Sequence, residues 1–462
     1  MHEGLERDLG LYSAVTISMG AMIGSGIFVL PALGFKKAGP AVIVAYLLAG
    51  VVVMPAALSK AEMATAMPES GGTYLYIDRA MGPLAGTVAG LGAWFSLVFK
   101  SAFALVGLGA YLLLFAPVPG SAVTAVALGL GTLIVVLNIV GTEQSGQMQA
   151  FIVTGVVVAL AGYVLSGGAT LDPGRFQPFA THESGGVVTA AAFVFVSYAG
   201  VTKIASVAEE VEDPGRNLPR AMLVSMGVMM ALYTFVVAVV VGINDPDTLL
   251  HGGPDDGVSL TPMADGADAL FGGFGVVFIS VVAVLALTSM ANAGVLASSR
   301  FPLAMSRDSL LPSWLMRIDP RFKTPRAAIL LTGGVLLALI AFVPVVELAK
   351  LASAFQILVF SIENLALVAF RESDVEFYQP DFTAPGYPVV QLVGVVGGFA
   401  LLTQMGTVPI LGAVGITLAG LVWYLVYGRQ RTDRAGALNV LVQRRRSPTG
   451  EADRVRIEAD RE

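Results

Sequence analysis

From residue 11 to residue 427 the chain is a succession of apolar runs, most of them about 20 residues long, the length a helix needs to cross a hydrocarbon core of about 30 Å. Backbone N–H and C=O groups find no partner in that solvent, so such runs have to be helical. Hydropathy and turn signals place twelve of them, at 11–35, 41–66, 83–115, 121–140, 148–165, 186–208, 220–243, 271–305, 326–342, 346–370, 389–404 and 409–427. The expected fold is an all-α integral membrane protein. Charged residues make up 13% of the sequence, against about 25% in soluble domains, which excludes a water-soluble globular chain.

Charge distribution sets the expected orientation. The stretch from Asn244 to Asp268 holds Asp245, Asp247, Asp255, Asp256, Asp265 and Asp268 with no Lys or Arg. Arg300, Arg307, Arg317, Arg321, Lys323 and Arg326 crowd the next connection. The positive-inside bias puts the second in the cytoplasm and the first outside. An even number of spans then leaves both termini inside, with Arg7 and the tail beyond Arg429. Lys36, Lys37, Arg175 and Lys350 are exceptions that fall outside. Segment 1–10 is short and charged without a small-residue cleavage site, so no signal peptide is expected. The absence of cysteine rules out disulfides and thiolate metal sites.

Two runs are interrupted. Thr16-Ile17-Ser18-Met19-Gly20-Ala21-Met22-Ile23-Gly24-Ser25-Gly26-Ile27-Phe28 carries Gly24 and Gly26 around a serine in mid-span. Unwound backbone survives at that depth where it lines a cavity or a ligand, although the same glycines would also suit close helix contact. In the sixth run, Phe193-Val194-Phe195-Val196-Ser197-Tyr198-Ala199-Gly200-Val201-Thr202-Lys203 turns small and polar after Val196. Paired interruptions at matching places in two halves point to a transport site at a repeat interface. The expected organisation is a cytoplasmic N-terminus (1–10), two inverted five-helix repeats (11–166 and 185–370), helices 11 and 12 (386–428) and a cytoplasmic charged tail (429–462). The tail lacks apolar periodicity and reads as disordered; Arg444, Arg445 and Arg446 are too few for a lipid-binding cluster.

Four ordered motifs carry a resemblance. Gly24-Ser25-Gly26-Ile27-Phe28, Pro68-Glu69-Ser70-Gly71-Gly72-Thr73-Tyr74, Glu209-Glu210 with Asp213-Pro214 and Arg216-Asn217-Leu218-Pro219-Arg220, and Ser299-Arg300 leading to Asp308 and Pro312 resemble those of the amino acid-polyamine-organocation permeases. The resemblance implies a LeuT-type fold with two inverted five-helix repeats plus two C-terminal helices, alternating access, and an amino acid or amine as substrate. A substrate site is expected at Ile23, Gly24, Ser25, Gly26 and Ile27 and at Phe195, Val196, Ser197, Tyr198, Ala199 and Gly200. Free N–H groups of Gly26 and Ile27, at the positive end of the restarted half-helix, suit a carboxylate. Open carbonyls near Ile23 and Ser197 to Ala199 suit an ammonium.

The driving ion departs from the family pattern. Proton-coupled members resemble one another in a helix 5 lysine, whereas here that region reads Thr154-Gly155-Val156. Lys100 stands instead in the middle of helix 3, and an ammonium at such depth is functional by default. It can be a titrating or fixed cation replacing the helix 5 lysine, an ion-pair partner of Glu363 in helix 10, or a group in an aqueous vestibule. Carbonyls near Gly20 and Ile23 with the hydroxyls of Thr288 or Ser289 would make an oxygen-rich sodium site. A proton is favoured over sodium as coupling ion.

The remaining polar residues read as structural. Lys203 snorkels or gates, Glu209 and Glu210 tether the end of helix 6, and Trp94, Trp314 and Trp423 sit near interfaces. His2, His182 and His251 have no metal-ligand spacing. No nucleophile elbow, Walker loop or paired catalytic carboxylates occur, so no enzyme, cofactor, metal or nucleic-acid partner is expected. The reading is a multi-pass permease of the cell membrane for proton-coupled uptake or exchange of amino acids. A sodium-coupled symporter and an amino acid sensor on the same fold are the alternatives, and the absence of acidic side chains in either break favours neutral substrates.

Overall fold

The computed structural model describes residues 7–69, 72–115, 122–141, 146–180, 185–253, 257–432 and 434–446. Ser70, Gly71, Asp255, Asp256, His2, His182, Gln144 and Ser145 lie outside them. The first interrupted run becomes α1 (Leu11–Met22), a single turn α2 (Ser25–Phe28) and α3 (Leu30–Ala38). Next come α4 (Val42–Ala66), α5 (Gly72–Met81), α6 (Pro83–Leu113), α7 (Val123–Val140) and α8 (Gly146–Gly168). The second interrupted run is α9 (Gly185–Val194) followed by a 3-10 segment (Phe195–Glu210). After it stand α10 (Pro214–Ile243), α11 (Pro246–His251), α12 (Pro262–Phe271), α13 (Gly273–Arg307), α14 (Arg326–Phe342), α15 (Val345–Ser373), α16 (Val389–Thr403), α17 (Thr407–Trp423) and α18 (Ala437–Arg446).

Among the described residues nine helical stretches are long and apolar enough to cross a membrane, and α1, α14 and α16 are shorter apolar helices. β structure among these residues amounts to one parallel bridge, Leu9 with Val211. Large apolar side chains such as Phe151, Leu165, Phe274 and Phe342 are at least three-quarters exposed, which in water would be an aggregation surface and in lipid is the outer wall.

Proline opens α6, α10, α11 and α12, where its missing N–H belongs to the unsatisfied first turn and its fixed φ suits the helix. Helix also forms in connections between the apolar runs. The acidic stretch folds into α11 and α12, and the Pro68 turn leads into α5. Arg300 and Arg307 belong to α13 rather than to a loop. The charged tail is not structureless: α18 packs on α15 and α5, with Ala437 fully buried.

Two groups of helices form the body. In one, α6, α7, α13 and α14 pack on each other; in the other, α10 packs on α1, on α4 and on the second interrupted run, and α4 packs on that run as well. Helix α15 lies between, against α6 on one side and α4 on the other. Trp94, expected at an interface, is buried in the first group and donates from Nε1 to Thr332 Oγ1 at 3.1 Å.

At one end of the bundle the N-terminal segment is strapped to the end of the 3-10 segment: Leu9 N donates to Glu210 O at 2.9 Å, and Glu212 N donates to Leu9 O at 3.0 Å. The C-terminal segment returns to the same end, where Arg434 pairs with Asp78 of α5 at 3.4 Å and with Asp308 at 3.0 Å.

Candidate functional site

The first break is real and short. Ile23 (φ −67°, ψ 120°) and Gly24 (φ 165°, ψ −134°) are extended between α1 and α2. Extended φ is open to any residue, so the demand for glycine here is one of space: a Cβ on Gly24 would collide with Met290 Sδ of α13. The restarted turn uses its own acceptors early. Ile27 N and Phe28 N both donate to Gly24 O at 3.1 Å, so the expected free amide of Ile27 is taken. Ser25 N reaches Met290 Sδ at 3.3 Å, a weak acceptor.

The second run does not unwind at Ser197–Ala199. It tightens from α-helix to 3-10 winding at Phe195 and stays so to Glu210, with one non-helical residue, Val207 (φ −124°, ψ 27°). A long 3-10 stretch within a helix marks strain or a hinge. Its start has a local cause. Ser353 of α15 inserts into the ladder, donating to Phe193 O at 2.8 Å and accepting from Val196 N at 3.2 Å. An inserted side chain is one of the recognised causes of a helix kink.

The two segments touch. A Cβ on Gly26 would lie 2.6 Å from Ser197 Oγ and 3.0 Å from Ser197 Cα, and one on Gly200 would overlap the carbonyl of Ala21. Ile23, Ile27, Phe195, Val196, Ser197 and Tyr198 are all buried at this junction, while Ala199 is half-buried. Ser197 Oγ is buried without a hydrogen-bond partner among the described residues. Phe195 packs edge-on against Phe360 with ring centres 5.9 Å apart. The junction is thus apolar-walled, with one idle hydroxyl and main-chain groups from both runs.

Tyr46, Tyr111 and Tyr233, not anticipated from the sequence, and Tyr198, expected at the site, hold main-chain oxygens around the junction. Tyr233 OH of α10 donates to Met22 O at 2.7 Å and lies 3.3 Å from Ser197 O, so it bridges both runs. Tyr46 OH donates to Gly26 O at 2.6 Å, Tyr198 OH to Tyr46 O at 3.1 Å, and Tyr111 OH to Phe28 O at 2.9 Å. A phenol within an apolar span pairs its hydroxyl when buried, and that was the available signal.

The coupling candidates separate. Lys100 is 6% exposed and donates to Ala21 O at 3.0 Å, next to the end of α1. It is not the partner of Glu363. That carboxylate pairs with Lys60 of α4 at 2.6 Å, both side chains being fully buried. Ser289 lines a cavity of about 10 Å³ with Gly20, Ile23, Val153 and Val156, whereas Thr288 is exposed and cannot share it. That volume is near the lower limit for one water molecule. Thr154 of α8 accepts or donates at 2.6 Å with Tyr12 OH, and a Cβ on Gly155 would meet nothing.

A second ion pair joins the same two helices. Glu62 of α4, fully buried, receives Arg371 through Nε at 2.8 Å and through a second guanidinium nitrogen, Tyr378 OH at 3.0 Å and Ala384 N at 2.6 Å. Lys60 and Glu62 stand inside an apolar run, and charges so placed are functional candidates; the sequence reading passed over them. At the other end of the bundle, a cavity of about 210 Å³ is lined by Lys37, Thr189, Phe193, Lys350, Gln404, Met405 and Gly406. Two of the lysines that break the charge rule therefore face one cavity.

Comparison with known proteins finds that the family model described as amino acid permease matches residues 9–428. The chain is 29% identical over 452 residues to the branched-chain amino acid permease BcaP of Bacillus subtilis, covering 93% of this chain and 95% of that one. It is 28% identical over 448 residues to the methylthioribose transporter of the same organism, covering 93% and 95%. It is 26% identical over 413 residues to the serine/threonine exchanger SteT, also of Bacillus subtilis, covering 86% and 91%.

Proposed function

We propose that this chain, which belongs to the amino acid permease family, is a secondary transporter that moves neutral amino acids across the cell membrane by alternating access. It is a multi-pass membrane protein and a transporter rather than an enzyme. The finer reading is a LeuT-type fold of twelve spans, two inverted five-helix repeats plus two C-terminal helices, with both termini cytoplasmic. The three shorter apolar helices added to the nine long stretches support that count.

The observation that carries the reading is the direct meeting of the two interrupted runs at Gly26 with Ser197 and Gly200 with Ala21. In this conformation they are closed on each other. Parting them by a few ångströms would bare the amides of Ser25 and Gly26, the idle Ser197 hydroxyl and the carbonyls now held by tyrosines. Amides at a helix start favour a carboxylate, and the carbonyls favour an ammonium. Ile23, Ile27, Phe195 and Val196 would wall the side chain, and the absence of an acidic group there favours a neutral, aliphatic one. The likeness to a branched-chain permease agrees with this.

Proton coupling or exchange is preferred over sodium coupling. The cavity beside Gly20, Ile23 and Ser289 is only about 10 Å³, Thr288 is exposed, and Ser289 is the one hydroxyl among its lining residues, which argues against a site for a hard cation. Lys100, bound to the carbonyl of Ala21, secures the end of α1.

Counterflow tests the reading. Purified protein in liposomes preloaded with unlabelled amino acid is expected to concentrate labelled L-leucine transiently. Absence of counterflow with both L-leucine and L-serine, from protein that is monodisperse, would overturn it and leave a sensor.

A further inference from the structure

We propose that Glu363, paired with Lys60, is the proton-carrying site of this transporter, loading and releasing one proton as the two helix groups move. The inference rests on the permease reading and adds the residue that links proton movement to it.

Two acid–base pairs connect α4 with α15, and they differ in one respect. Glu62 has both carboxylate oxygens occupied by donors from Arg371, Tyr378 and Ala384. Glu363 uses Oε1 alone, on Lys60 at 2.6 Å, and its Oε2 is buried with no hydrogen-bond partner among the described residues. A saturated carboxylate is a clamp. An unsaturated one, buried at no exposure, is held against a large desolvation penalty by a single contact, and the idle oxygen is where a proton can bind.

The surroundings prepare Lys60 for the loss of its partner. Its ammonium also donates to Thr73 Oγ1 at 2.8 Å and lies 4.7 Å from the ring centre of Tyr76. Both residues belong to α5, so when Glu363 is protonated the cation keeps a hydroxyl and a π face. Glu62 and Arg371 occupy each other, and Glu69, Arg79 and Glu209 lie within electrostatic reach of Tyr76. From α16 comes Gln391, whose Nε2 reaches Ser59 Oγ at 3.4 Å; Ser59 in turn donates to Asn364 at 2.9 Å. Lys100 of α6 is committed to Ala21 O.

Position makes the pair a coupling element. Helix α4 packs on α10 and on both parts of the second interrupted run, whereas α15 packs chiefly on α6 and touches that run more lightly. Separating the helix groups therefore strains the Lys60–Glu363 contact. A proton from water bonds to Glu363 Oε2, the carboxylate becomes a neutral carboxyl, and the attraction across the groups falls to that of a cation and a dipole. When the proton leaves to water on the other side, the ion pair re-forms. The site gains one positive charge on loading, so a zwitterionic substrate moves with one net charge.

The test uses the full chain in liposomes with labelled L-leucine and L-serine, reading counterflow without a pH gradient and accumulation driven by one. Wild type is expected to do both, with substrate-dependent proton uptake on a pH dye. In Glu363→Gln, gradient-driven accumulation is expected to fall at least tenfold relative to the variant's own counterflow. In Glu62→Gln the two readouts are expected to fall together. Should Glu363→Gln fail to fold, Lys60→Met/Glu363→Gln removes both buried charges and serves in its place. Retained accumulation in either variant, or wild-type counterflow with no proton movement, overturns the proton site and leaves the permease standing. Absence of wild-type counterflow overturns the permease reading itself.

Discussion

The phenol of Tyr233 donates to the carbonyl of Met22, the last α-helical residue before the chain unwinds, across 2.7 Å. Its oxygen is also 3.3 Å from the carbonyl of Ser197, so one hydroxyl on α10 serves both interrupted runs. Tyr233→Phe keeps the packing against Tyr46 and Tyr198 and leaves a buried carbonyl unpaired. The expected loss is about 1 to 3 kcal/mol of stability, read as a lower melting temperature in detergent, together with slower counterflow.

Gly26 and Gly200 are expected to tolerate no side chain. Gly26→Ala puts a methyl 2.6 Å from Ser197 Oγ, and Gly200→Ala drives one into the main chain of Ala21, which cannot rotate away. Uptake should fall by at least tenfold in both, more severely at Gly200. Gly155→Ala, whose Cβ meets nothing within 4 Å, is the control and should transport as wild type does.

Lys100→Met removes the donor to Ala21 O. As a tether of that carbonyl Lys100 works at every pH, so transport should fall several-fold throughout while the shape of the pH profile is kept. A profile that flattens would instead make Lys100 the titrating group.

Asp78, beneath α6, has its carboxyl pushed up from an ordinary 3.8 to about 6, first by burial, with Asp308 adding and Arg434 and Arg79 opposing. A carboxyl whose folded pKa is raised contributes stability below pH 4, and that contribution is lost as pH rises through 6. Between pH 4 and pH 7 wild type should therefore lose up to about 3 kcal/mol relative to Asp78→Asn. Melting curves of both proteins across that range check the sign.

Much of this architecture was legible because lipid leaves a chain few options. The apolar runs had to be helices, and Gly24-Ser25-Gly26 could mark a break because nothing else there fills space. The second run was harder: Ser197, Ala199 and Gly200 signal a departure from α-helix but not its kind, which depends on Ser353 arriving from a distant helix. Lys60 was missed because its partner lies 303 residues away, and the pairing of Lys100 with Glu363 fails for the same reason. The tail read as solvated because α18 is polar overall, and only its seat on α5 and α15 stabilises it. The tyrosines hold main-chain oxygens, which leave no mark in a sequence.

The strap between Leu9 and residues 210 and 212 yokes the foot of one broken rod to the foot of the other. Neither can swing at that end without dragging its counterpart, so two hinges become a single lever, and cutting the first ten residues away would let each flap alone.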